Sequence, residues 1–93
     1  MTVGVLEIRL AIREARDLKG KRRILKSLKD RIRNRFNVSV AEVGRQEAHQ
    51  YSDLAVAVAA TDRRFADQVL SQVVNLVRTF PRVQMVDYSV EMF

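Results

Sequence analysis

Four cations, Arg22, Lys26, Lys29 and Arg33, stand at spacings of 4, 3 and 4, the interval that aligns side chains along one edge of an α-helix. Such a row is roughly 16 Å long at about 1.5 Å rise per residue. Its chemistry is that of phosphate contact, because lysine and arginine neutralise a nucleic-acid backbone without reading its bases. Lys19, Lys21 and Arg23 extend the charge over the start of the same helix. From Arg13 to Arg35 there are eleven Lys or Arg against Glu14, Asp17 and Asp30, a net +8, whereas the whole 93-residue chain is +6. The positive field is therefore local, which points to a partner more strongly than a diffusely basic surface does. The competing reading is a solvated helix face. Against it, only Asp30 interrupts nine cations between Lys19 and Arg35, and like charges at i,i+4 repel by about 0.2 to 0.5 kcal/mol each. A bound polyanion would relieve that repulsion.

Other chemistries lack their parts. One histidine, His49, and no cysteine leave only carboxylates to complete a metal site, so no zinc or heavy-metal cofactor is expected. Gly4, Gly20 and Gly44 stand alone and supply no glycine-rich, phosphate-cradling loop. No serine, histidine and acid are suggested as a nucleophilic set by their spacing. The expectation is a protein without catalytic residues or cofactor. His49, Glu47 and Tyr51 read as loop residues, and Glu42 as half of a structural ion pair with a cation of the first helix.

The elements that must hold these cations follow from periodicity. Leu6, Ile8, Leu10 and Ile12 alternate with Glu7 and Arg9, a half-buried strand over residues 2–12. Asp17 is a plausible N-cap for a helix running to about Arg35, with Leu18, Leu25, Leu28, Ile32 and Phe36 on its apolar side. A second strand is expected over Val38–Val43, then a polar loop over Arg45–Ser52. Leu54, Val56 and Val58, alternating with Ala55, Ala57 and Ala59, mark a third strand. Thr61-Asp62 offers a second N-cap, and Phe65, Val69, Val73, Leu76, Val77 and Phe80 a second amphipathic helix stopped by Pro81. Val83–Phe93 reads as the last strand, with Val86, Tyr88, Val90 and Met92 turned inward. The order βαββαβ in a single domain over residues 1–93 predicts an α+β ferredoxin-like sandwich, a four-stranded antiparallel sheet with both helices on one face. Tyr88 is the only strand aromatic besides the terminal Phe93, so base stacking on the open sheet face is not expected. The small Ala55, Ala57 and Ala59 face, with Val3 and Val5, would let a second sheet approach closely, and a homodimer is a further expectation.

The start of the chain is broken by Glu7 and Arg9 and does not read as a signal peptide. The longest apolar run, Leu54–Ala60, is too short to span a membrane. A pI near 10.5 favours anionic partners, nucleic acid before membrane.

Val3-Gly4-Val5-Leu6-Glu7, the Leu18–Arg23 segment and Arg35-Phe36-Asn37-Val38-Ser39-Val40-Ala41-Glu42-Val43 resemble the YlxP-like family of small bacterial proteins, nearly end to end. The resemblance implies a ferredoxin-like fold in a cytoplasmic protein. Members are often encoded beside translation initiation factor two and ribosome-binding factor A, which implies a role around the ribosome. The chain departs from that pattern at Asp17 and Gly20, where the family usually has the Ser and Glu of a capping box, and at His49, where it commonly has Trp. The functional expectation is a non-enzymatic accessory protein of ribosome assembly or translation that docks on RNA or a ribosomal precursor through Lys19, Lys21, Arg22, Arg23, Lys26, Lys29 and Arg33. The alternative is a homodimeric structural or regulatory protein that binds an acidic protein partner.

Overall fold

A computed structural model describes residues Met1–Phe93. It has the expected order, β1 (Thr2–Ala11), α1 (Leu18–Arg35), β2 (Ser39–Gly44), β3 (Tyr51–Ala60), α2 (Arg63–Thr79) and β4 (Gln84–Met92). The four strands form one antiparallel sheet in the order β2-β3-β1-β4, the ferredoxin-like arrangement. Strand alternation decides the two faces. Leu6, Ile8 and Leu10 of β1, Leu54, Val56 and Val58 of β3 and Val40 of β2 are buried beneath the helices, while Glu7 and Arg9 lie on the open face.

Both helices begin where a side-chain acceptor takes up an unpaired backbone donor. Asp17 Oδ1 accepts from Gly20 N at 2.7 Å, and Asp62 Oδ1 from Phe65 N at 2.8 Å. Ile24, Leu25, Leu28 and Ile32 of α1 close the core from one side. The buried stripe of α2 is Ala66, Leu70, Val73, Val74, Leu76 and Val77, rotated from the expected one. Phe65 is 53% exposed rather than inward, because Ala66 and Leu70 are the residues that meet β1. A Cβ added at Gly4 would stand 3.0 Å from Leu70 Cδ1 and 3.3 Å from Ala66 Cβ, so the missing side chain sets how closely α2 lies on the sheet.

The start of β3 differs from expectation. β3 begins at Tyr51 because the β1 ladder continues to Ala11 opposite Tyr51, which shortens the polar loop to residues 45–50. Both edge strands also carry a bulge. Glu42 and Gly44 oppose the consecutive Leu54 and Asp53, leaving Val43 unpaired and exposed. Asp87 and Met85 oppose Arg9 and Leu10, leaving Val86 unpaired. Bulges bend edge strands and limit pairing there.

Candidate functional site

The rotation of α1 is fixed by its apolar stripe, and that rotation sorts its cations. Arg22, Arg23 and Lys19 are exposed at the first turns, Lys26 is exposed further along, and Lys29 is half-buried beside the stripe. Lys26 Nζ holds Asp30 Oδ2 at 2.9 Å, yet its side chain keeps 78% of its exposure. Arg33 is more committed. Its Nη2 donates to Val40 O at 2.7 Å, and Nη1 lies 4.0 Å from Asp30 Oδ1. It ties the last turns of α1 to β2 and offers an anion only part of its guanidinium.

Lys21 leaves the expected set. It is 1% exposed, and its ammonium donates to Arg45 O at 2.8 Å and Ala48 O at 2.6 Å and pairs with Glu42 Oε2 at 2.8 Å. Three protons meet three acceptors. Ser52 Oγ donates to the same Glu42 oxygen at 2.7 Å, and no buried side-chain polar atom lacks a partner. Lys21 thus fastens the 45–50 loop to α1 and cannot reach a phosphate. The expectation that Glu42 forms a structural ion pair with α1 is met. A sequence signal was available: Lys21, Leu25, Leu28 and Ile32 stand at 4, 3 and 4, so Lys21 occupies the apolar stripe itself, and Glu42 shares a strand face with Val40.

Two cations outside the expected set join the surface. Arg31 and Arg35, with Arg23, Lys26, Ser27, Asp30 and Asn34, line a shallow hollow along the outer face of α1 that has no apolar side chain. The Arg31 guanidinium lies 5.8 Å from the Phe80 ring centre and that of Arg35 5.8 Å from Phe36. Each is braced against an aromatic face while remaining exposed. The cationic surface is therefore wider than the ridge, wrapping from Arg22 and Lys26 around to Arg31 and Arg35.

The open sheet face has the opposite character. Its registered rows place Glu91 beside Val5 and Ala57, Ser89 beside Glu7 and Ala55, and Asp87 beside Arg9 and Asp53. Arg9 Nε lies 3.3 Å from Asp53 Oδ1 and Arg45 Nε 3.7 Å from Asp53 Oδ2, so the face holds four carboxylates and these two cations. Tyr51, expected in a loop, is on this face, with the Arg45 guanidinium 5.4 Å from its ring centre. Tyr88 lies on the core-side face as expected, with the Arg78 guanidinium of α2 5.7 Å from its ring centre, yet it is 42% exposed. One capped ring is not a base-stacking platform.

A family profile described as "Protein of unknown function (DUF503)" matches residues 3–90. The chain belongs to this family. "Uncharacterized protein YlxP" of Bacillus subtilis (strain 168) is 32% identical over 82 residues, covering 88% of this chain and 89% of the relative, so the resemblance to the YlxP-like family holds. Solved structures similar to this DUF503 chain include the de novo designed protein Foldit4, with a TM-score of 0.57, 15% identity and coverage of 100% of this chain and 97% of that one. A de novo designed protein with ferredoxin fold, LFR1 1, has a TM-score of 0.55, 13% identity and coverage of 100% and 84%. At such identities the likeness shows the fold alone. No helix of this DUF503 chain is long and apolar enough to cross a membrane.

Proposed function

We propose that the protein is a non-enzymatic, cytoplasmic accessory factor of ribosome assembly or translation that docks on RNA phosphates through α1. The observation that carries this reading is the cationic surface of exposed Arg22, Arg23, Lys26, Arg31 and Arg35 with half-buried Lys29, in which Asp30 is the one acid. Lys21 is removed from the contact set and Arg33 contributes in part. A polyanion relieves the mutual repulsion of these cations, and the acidic sheet face turns away from it. Recognition rests on charge and shape, since α1 offers long flexible cations rather than a groove fitted to a base.

The test is binding to small-subunit ribosomal RNA across a salt series, with the wild type beside an Arg22→Glu/Lys26→Glu/Lys29→Glu variant. Each lost phosphate contact should lower the log–log salt slope by roughly 0.7 to 0.9. Loss of both affinity and slope in the variant supports α1 as the contact. Equal binding by both proteins overturns it, and saturable binding to an acidic protein without RNA affinity would favour the alternative partner.

A further inference from the structure

The β4 edge is the surface that the RNA reading does not use. Val3 and Phe93 exchange both backbone hydrogen bonds, at 3.0 and 2.8 Å. By the alternation of an antiparallel ladder, the odd residues Asp87, Ser89 and Glu91 bond to β1. The even residues Tyr88, Val90 and Met92 therefore turn their backbone groups outward. On the core side of this edge α2 reaches Tyr88 only through Arg78, whose guanidinium lies 5.7 Å from the ring centre, leaving Tyr88 42% and Val90 37% exposed. Leu70, Val74, Tyr88 and Val90 floor a groove there, flanked by Asp67 and Arg78 of α2. Of the usual devices against strand addition, this edge has the bulge at Val86, outside the Asp87–Met92 stretch, but no proline or lysine between Gln84 and Met92. Instead, Asp87 Oδ1 accepts from the outward Tyr88 N–H at 2.8 Å, a self-cap that an incoming strand could displace.

We propose that β4 accepts an extended segment of another protein in which apolar residues alternate with Lys or Arg, adding a fifth strand to the sheet. The apolar residues of that segment lie over Tyr88 and Val90, and its cations over Asp87 and Glu91 on the opposite face. A carbonyl of the added strand takes over the Tyr88 N–H, releasing the Asp87 carboxylate to pair with a cation. Charge selects this occupant over a second copy. Two β4 strands paired about a two-fold axis would gather Asp87 and Glu91 from both copies on one face, four carboxylates together, whereas a basic strand neutralises them.

The probe is a nine-residue peptide alternating Lys and Val, titrated into the isotope-labelled protein and followed by amide NMR, beside the same peptide with Glu for Lys. The expected result is saturable binding of the Lys peptide, with slowed exchange at the Val90 and Met92 amides and at least tenfold weaker binding of the Glu peptide. Val90→Pro removes an outward N–H that β1 does not use and should abolish binding with an unchanged circular dichroism spectrum. Should that variant not fold, Asp87→Lys/Glu91→Lys serves instead and should reverse the preference to the Glu peptide. Equal affinity for both peptides, shifts confined to α1 or the open face, or concentration-dependent protection of β4 without peptide, which would mark a second copy at the edge, each overturns the proposal.

Discussion

Lys21 of α1 and Glu42 of β2 form an ion pair at 2.8 Å in which the lysine side chain is 1% and the glutamate 18% exposed. The two charges hold together a helix, a strand and the loop that follows the strand. Their relation turns the most basic segment of the chain into two populations, one spent on the fold and one left for solvent or a partner.

Lys21→Met should therefore destabilise the protein by about 3 kcal/mol, because Glu42 and the Arg45 and Ala48 carbonyls lose their donor in a largely buried setting. Urea unfolding measures this. The RNA salt slope of the folded variant should match the wild type, since Lys21 makes no phosphate contact. A near-neutral midpoint combined with a reduced slope would place Lys21 among the binding cations after all.

Asp30 restrains Lys26 at 2.9 Å and lies 4.0 Å from Arg33. Asp30→Asn should tighten RNA binding and steepen its salt dependence, since it removes the one acid in the cationic surface. Because exposed pairs of this kind are worth about 0.2 to 1 kcal/mol, folding stability should change little. Weaker RNA binding by this variant would count against α1 as the docking face.

Arg33→Ala should behave differently from Lys29→Ala. Arg33 donates to Val40 O at 2.7 Å, so its removal should lower stability by about 1 kcal/mol and reduce the salt slope only partly. Lys29→Ala should lower the slope by roughly 0.7 to 0.9 with little effect on unfolding. Identical behaviour of the two variants would contradict the division.

Gly4→Ala should cost about 1 to 3 kcal/mol by overpacking, since the added Cβ meets Leu70 Cδ1 at 3.0 Å, Met92 Sδ at 3.2 Å and Ala66 Cβ at 3.3 Å. Thermal unfolding would register it. Leu70→Ala should cost about 2 to 5 kcal/mol, while Phe65→Ser, at a residue 53% exposed, should cost far less. The reverse ranking would restore the α2 face read from periodicity alone.

Element order was legible because each layer repeats its own period, two in Leu6, Ile8 and Leu10 and near 3.6 in Leu25, Leu28 and Ile32, and because Asp17 and Asp62 announce the helix starts. Rotation was less legible. Phe65 and Val69 and, one residue on, Ala66 and Leu70 both satisfy a helical repeat, and size favoured the phenylalanine while space beneath the helix favoured the alanine. At the candidate site, Arg22, Arg23 and Lys26 could be read as exposed cations from their angles. Lys21 was lost among like residues, although its angle set it on the apolar stripe. The exposure of Tyr88 was not legible, because it depends on how far α2 reaches over a residue nine positions beyond its end.

The sheet order β2-β3-β1-β4 also dictates a timetable. The first strand made is central, and both its neighbours, Tyr51–Ala60 and Gln84–Met92, come later in the chain. Only β2 and β3 can close as a local hairpin. Pairing of β1 must span long loops, a topology that slows folding. During synthesis β1 cannot be flanked on both sides until β4 has emerged, so completion of the sheet waits on the last of its four strands.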